Sequence, residues 1–333
     1  MMAKVAGLRF RICVAAGLAA AMLSASSFGQ RRYPERPIRL VVPFAPGGNV
    51  DFTARIYAAK MTALLGQQIV IDNKAGADGA IGSAEVARAK PDGYTLLIGS
   101  ASTHSINPLT MDKPGYDPVK DFAGIALVST VPMVIIVHPT LPRTLPELIK
   151  RVKDSPGKYS FGSAGVGSIN HLTGELFKIA AGKLDIVHVP YKGGGPSVQA
   201  VTVGEIPTAF VAFSAAIGLH RDGRLRILAV FSKKRSHAAP DIPTLAEAGL
   251  PGVTSNSYTA VLAPAGTPTA IVDQLYQATS KVVADSAFQK SILDQTAEVV
   301  TDSNPGNMTQ FLNEEIEKWA RVLKAIGGKG GIH

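Results

Sequence analysis

Short apolar runs alternate with stretches of helical period along most of the chain. The run over 38–44 (Ile-Arg-Leu-Val-Val-Pro-Phe) reads as a buried strand, closed by the turn residues Pro46, Gly47 and Gly48. Over 49–65, Ala54, Ile56, Tyr57, Met61, Leu64 and Leu65 recur on one side of a helix. Further strands are predicted over 68–72, 94–99, 159–162, 185–190, 208–213, 224–230 and 298–301. Helices are predicted over 81–89, 145–153, 169–181 and 197–203, with a short one ending at His220. Two long amphipathic helices, over 269–296 and 306–325, dominate the end of the chain, before a glycine-rich tail over 327–331. The stretch 100–120 is polar and turn-rich and reads as irregular; two separate apolar runs, 123–128 and 133–137, follow it.

Strands alternating with helices of this length predict an α/β fold with parallel sheets covered on both faces. Two such series around an irregular middle predict two lobes. Ligands of these sheets sit beyond the carboxyl ends of the strands. That rule selects the loops after Phe44, Gly99, Gly162, Tyr191 and Phe213. They carry Ala45, Pro46, Gly47 and Gly48; Ser100, Ser102 and Thr103; Ser163, Ala164, Gly165, Gly167 and Ser168; Lys192 and Gly193; and Ser214. Any one of them could be no more than a tight turn with its helix cap. Five on the ligand side together suit an anion held by backbone N–H groups at helix N-termini.

Single side chains keep two readings. Asp51, in the first turn of its helix, either complements the dipole or faces a ligand. His171 makes either a pocket hydrogen bond or a surface contact, and His104 either donates to an anion or lies exposed. His188 reads as a strand residue, and Lys192 either neutralises an anion or extends into solvent. Phe44, Tyr191 and Phe213, at strand ends, form either a ligand wall or core.

Composition narrows the class. The 333 residues are 46% hydrophobic and 18% charged, which excludes a disordered or collagen-like chain. Lys4, Arg9 and Arg11, an apolar run over 12–23 and the small residues Ser27 and Gly29 have the layout of a secretory signal peptide over 1–29, cleaved after Gly29. About 12 apolar residues are too few to span a bilayer. Cleavage removes the lone cysteine, Cys13, and lowers the net charge from +9 to +6 with the three leader cations. The remaining basic residues form no stripe with interleaved aromatics, so no nucleic-acid partner is expected. No Gly-x-Ser-x-Gly elbow, P-loop, complete dinucleotide fingerprint or metal-ligand spacing appears, so no catalytic residue, cofactor or metal is expected. The alternatives from other classes are an exported hydrolase using Ser100 or Ser168 with His104 or His171 as base, and a periplasmic sensor or partner-binding subunit.

The blocks Tyr33-Pro34-x-x-Pro37 to Asp51, Gly76-Ala77-Asp78-Gly79-x-Ile81-Gly82, Lys90-Pro91-Asp92-Gly93-Tyr94, Ser163-Ala164-Gly165-x-Gly167-Ser168-x-x-His171-Leu172, Val187-x-Val189-Pro190-Tyr191-Lys192-Gly193-Gly194 and Leu262 to Pro268 resemble the Bug (TctC-like) receptors of tripartite tricarboxylate transporters. The resemblance covers essentially all of the chain after the leader. Ala45, where proline is common, and Asp78, where a small residue is common, depart from the pattern. The resemblance implies a two-lobed, type II-like periplasmic binding protein, each lobe a mainly parallel sheet flanked by helices. Lobe 1 would be 33–132 plus 256–333 and lobe 2 would be 133–255, with hinges near 131–138 and 231–258. It implies a periplasmic, monomeric receptor that captures a di- or tricarboxylate or an aromatic acid by lobe closure. Its partners would be inner-membrane transporter subunits, with a sensor kinase as an open alternative. The residues from Ala45 to Gly48 with Asp51, and Ser163, Ala164, Gly165, Gly167 and Ser168, would hold the carboxylate, and Phe44, Tyr191 and Phe213 would set specificity.

Overall fold

Ile38, Leu40, Val41 and Val42 are fully buried, as the aliphatic positions of an interior strand must be, while Arg39 between them pairs with Asp72 and Glu85. The computed structural model describes residues 33–328, so the leader assigned to 1–29 and the tail beyond Gly328 lie outside the described residues. Residues 36–328 form one compact unit.

Its first part runs β1 (Ile38–Val42), α1 (Asn49–Leu65), β2 (Ile69–Asn73), α2 (Ala80–Ala87), β3 (Thr95–Ser100) and β4 (Phe122–Val137). Then follow α3 (Leu145–Lys153), β5 (Tyr159–Ser163), α4 (Ile169–Ala180), β6 (Ile186–Pro190), α5 (Gly194–Thr202), β7 (Thr208–Ala212), α6 (Phe213–Arg221) and β8 (Arg226–Val230). The chain ends with β9 (Asn256–Pro264), α7 (Thr269–Ala284), α8 (Ser286–Asp294), β10 (Glu298–Val299) and α9 (Pro305–Ala325).

The strands lie in the order β2-β1-β3-β9-β4-β7-β5-β6, with β8 and β10 also on β4. β2, β1 and β3 are parallel neighbours, and so are β6, β5 and β7. In each half one antiparallel strand joins the parallel set: β9 on one side, the second part of β4 on the other. The result is two lobes, each a mixed sheet built on three parallel strands and packed against helices.

Both lobes share β4. Its first part pairs with β9 as far as Pro132 opposite Asn256, and from Met133 onward it pairs with β7 and β8. Proline has no N–H to give a ladder and sits where the partner changes. The next residue resumes bonding at once: the Met133 N–H donates to the Ser255 carbonyl and the Phe231 N–H to the Met133 carbonyl, each at 2.9 Å. The Ser255 N–H donates to the Phe231 carbonyl, also at 2.9 Å, so the three crossing segments are tied together.

Alternation along β4 then builds the second lobe's core. Met133, Ile135 and Val137 pack with Phe161, Phe177, Phe210 and Phe231 on one face. Val134 and Ile136 pack with Val198, Val211, Phe213 and Ile217 on the other. Trp319 of α9 is fully buried with Ile106 and with Leu172 of α4, an apolar contact across the lobes.

Several sequence expectations are corrected. The two apolar runs at 123–128 and 133–137 are one strand, because Ser129 to Pro132 continue the extended backbone. The strand β9, absent from the expected set, is central and paired on both edges. The helix expected over 269–296 breaks at Asp285, whose carboxylate accepts the Phe288 N–H at 2.8 Å and caps α8. The stretch 100–120 is not irregular throughout. A π-helical segment, Ser102–Ile106, buries Thr103, His104 and Ser105, with the Thr103 Oγ1 accepting the Ser100 N–H at 2.9 Å and Ser105 bonded to Tyr258 at 2.7 Å.

Gly174, inside α4, lies against the Phe161 ring, which a Cβ would strike. Alanine favours a helix over glycine by about 1 kcal/mol. At this position overpacking outweighs that gain, and Gly174→Ala is expected to destabilise the protein by about 1–3 kcal/mol. Urea unfolding reads this directly, and a midpoint raised above wild type would refute it.

Candidate functional site

A cleft of about 850 Å³ opens between the carboxyl ends of the two sheets. One wall carries Asp78, Ser102, Asn107 and Thr110 to Asp112; the other carries residues 164–170 and Gly193.

The second wall follows directly from its sequence. After β5 the chain must reverse within a few residues to start α4. Gly165 (φ +130°) and Gly167 (φ +75°) take conformations that side chains resist. Ser168 then caps α4, accepting the His171 N–H at 3.3 Å. The N–H groups of Ile169 and Asn170, the first two of α4, have no carbonyl behind them within the helix. Both residues line the cleft, so the positive end of a 12-residue helix faces it. That arrangement receives an anion without any cationic side chain.

Two histidines fix this wall. The Gly167 N–H donates to His171 Nδ1 at 3.1 Å, and Ser163 Oγ, which accepts the Gly165 N–H at 3.1 Å, lies 2.7 Å from His188 Nε2. The two imidazoles stack with centroids 3.7 Å apart and planes 9° apart. His171 can accept the Gly167 N–H only while its Nδ1 is unprotonated. Burial keeps it so, pushing its pKa down to about 3 with help from His188 and Lys178. Burial and Lys178 likewise lower His188 to about 4. The Gly193 N–H, donating to the Ala164 carbonyl at 3.2 Å, ties in the next loop.

On the first wall, Ala77, Asp78 and Gly79 all have positive φ. Asn107 Nδ2 holds the Asp78 carbonyl at 2.9 Å, and Thr103 and the Phe44 ring close against Gly79 so tightly that a Cβ there would clash. Solvent reaches Asp78 from the cleft, yet the surrounding walls partly desolvate its carboxyl and push its pKa up, against a hydrogen bond from Ser102.

The other residues selected from sequence are placed as follows. Ser102, Ala164, Gly165, Gly167, Ser168 and Gly193 line the cleft. Ala45, Pro46, Gly47 and Gly48 form an exposed loop outside this cavity, and Phe44 is half-buried. Asp51 is a buried clamp for that loop: it accepts from the Gly47 N–H at 2.9 Å, Asn73 at 2.9 Å and Arg55 at 2.8 Å. Burial alone would raise its pKa, but the bonds from Arg55, Gly47 and Asn73 outweigh this and hold it below the ordinary carboxylate range. Ser100, Thr103 and Ser163 are buried and bonded internally. His171 and His104 are buried rather than exposed, and burial lowers His104 to about 3.

Tyr191 and Phe213 do not form a cleft wall. The Tyr191 hydroxyl donates to Glu205 at 2.9 Å, and Phe213 is fully buried as the first residue of α6. Phe213 stands two residues after Val211, and both pack in the same core. Lys192 is exposed and outside the cavity. Sequence selection missed Asp78, Asn107, Thr110, Met111, Asp112, Val166, Ile169 and Asn170. Asp78 follows β2, and the strand-end rule extended to β2 would have found it.

The serine–histidine pairs considered from sequence are not assembled: neither Ser100 nor Ser168 is hydrogen-bonded to the His104 or His171 ring. Ser168 Oγ donates to the Gly165 carbonyl at 2.7 Å, and the Thr103 hydroxyl occupies His104 Nδ1 at 2.8 Å. The described residues contain no cluster of metal-ligating side chains and no helix long and apolar enough to cross a membrane.

Residues 53–328 match the family described as the tripartite tricarboxylate transporter family receptor. Protein BugT of Bordetella pertussis is 36% identical over 299 residues, covering 89% of this chain and 91% of its own. The solved structure of Rpa4515 from R. palustris with adipate is 35% identical, with a TM-score of 0.77 over 88% of this chain and 97% of that one. MatC from Rhodopseudomonas palustris with bound malate is 33% identical, with a TM-score of 0.74 over 87% and 100%. The chain belongs to this receptor family, whose members are periplasmic substrate-binding receptors rather than enzymes. They bind small carboxylates and work with membrane transporter components.

Two outcomes follow from the site's electrostatics. Asp51→Ala leaves the Gly47 N–H and Asn73 without their acceptor and is expected to cost about 1–3 kcal/mol of stability; an unchanged urea midpoint would contradict the clamp. The depressed values of His104, His171 and His188 give the second. Below the unfolded value of about 6.5 the unfolded chain takes up protons that the native chain refuses. Stability is therefore full above that pH and falls as pH drops toward the folded values of about 4 and 3. Each histidine should contribute a loss of about 1–2 kcal/mol between pH 7 and 5. Urea unfolding at several pH values measures the slope, and a flat profile would show that the imidazoles protonate in place.

Proposed function

We propose that this receptor captures a small carboxylate in the cleft between its lobes and delivers it to inner-membrane transporter subunits. The observation that carries the reading is the N-terminus of α4 presented to the cleft behind the glycine loop 164–168. The adipate and malate bound by the two structural relatives support it.

In this reading the chain is exported by its leader, cleaved after Gly29, and works as a monomer. Lobe 1 comprises 33–132 plus 256–333 and lobe 2 comprises 133–255. The hinge lies at the bonded crossing of Met133, Phe231 and Ser255. Ligand contacts available only when the walls approach would shift the lobes from open to closed. Ser102 contributes from lobe 1, and Ala164, Gly165, Gly167, Ser168 and Gly193 from lobe 2. The exposed loop 45–48 would meet the ligand on closure, with Asp51 keeping it in shape.

Thermal unfolding of the exported protein, refolded to remove any co-purified ligand, tests the reading against mono-, di-, tri-, amino and aromatic carboxylates. A ligand at 100 times its dissociation constant should add about 2.7 kcal/mol of stability. The expected result is a saturable, selective shift with the compound recovered unchanged. No shift across the panel would refute carboxylate capture.

A further inference from the structure

Among the described residues, two side chains lining the cleft carry a formal charge, Asp78 and Asp112, and both are acids. No described lysine, arginine or histidine lines it, although the chain as a whole is basic. An anion therefore has one favourable place, the N-terminus of α4, and meets a carboxylate on the facing wall. A second carboxylate on the ligand would be repelled there, whereas a cation would be attracted.

Asp78 is built to stay in place. Its backbone is held in the left-handed region, at φ +46°, and its carbonyl is fixed by Asn107 Nδ2 at 2.9 Å. Ser102, a hydroxyl, lines the same wall beside it. A charge held ready in this way loses little freedom when a partner arrives.

We propose that Asp78 determines specificity in this cleft, and that the ligand is a carboxylate that also carries a protonated amine, held by Asp78. The proposal rests on the carboxylate reading above. It adds that the ligand is zwitterionic and that compounds ending in two carboxylates are disfavoured.

Isothermal calorimetry on the exported protein, stripped of ligand, compares compounds matched in length. 4-Aminobutyrate is set against glutarate, 5-aminopentanoate against adipate, and norvaline is added as an α-amino acid. At least one amino acid should bind about tenfold or more tighter than any of the dicarboxylates. Asp78→Asn should remove that preference by weakening the amino acid and strengthening the dicarboxylate. Asp78→Gly, which suits the positive φ, repeats the test if the asparagine variant fails to fold. Dicarboxylates binding wild type as tightly as the amino acids would overturn the proposal and leave the carboxylate receptor standing. So would variants that keep the preference, or that weaken both classes equally, since Asp78 would then serve only its turn. Binding by no carboxylate of either kind would overturn the receptor reading itself.

Discussion

Every buried peptide group in a strand must find a partner, and in this protein that requirement is met across the lobe boundary by a single strand. β4 belongs to both sheets, so neither lobe completes its ladder without it. The cost of sharing falls at one residue. Pro132 has no N–H to leave unpaired where the partner changes, and Met133 takes up the new ladder immediately. The lobes are therefore joined by backbone hydrogen bonds rather than by a loose linker. Rotation between them would turn about a few bonded residues, leaving both sheets intact.

The cleft inherits its geometry from this joint. Both sheets present the carboxyl ends of their parallel strands to the same space, so the short, glycine-bearing loops converge there. The wall formed by residues 164–170 is rigid despite its composition. Its N–H groups are bonded to Ser163 and His171, and the two stacked imidazoles sit on the Phe161 ring. A loop that would wander in isolation is fixed by two neutral histidines, and the α4 N-terminus behind it is held against α9 through Leu172 and Trp319. Binding energy need not be spent on ordering this wall.

Much of this was legible in the sequence, for identifiable reasons. The loop after β5 could be read because strand, glycine pair, serine cap and helix follow one another within ten residues. β4 looked like two runs because serine, threonine and proline interrupt its apolar pattern, and only the pairing with β9 shows that they continue the strand. The break at Asp285 was hidden because apolar positions keep helical spacing on both sides of it. Phe213 was misread because a strand's end locates a backbone and does not say where the side chain points. Period-two alternation from Val211 sends it into the core. The polar stretch after Ser100 misled for a similar reason, since Thr103 and Ser105 satisfy their hydroxyls internally and then bury as readily as apolar residues.

A site built from backbone donors recognises the carboxylate group and little else, because peptide N–H groups are the same whatever side chains surround them. Discrimination must then come from whatever the opposite wall contributes. Here, among the described residues, that wall offers an amide, two hydroxyls, a thioether and two acids, and no cation. The helix end and the acids are complementary poles of one cavity, and the charge pattern they leave vacant is a dipole. Capture by generic backbone donors and selection by one fixed side chain can thus change independently. In the proposed reading, substitution on the lobe 1 wall would alter what the cleft prefers without disturbing the packed histidines that hold the facing loop in place.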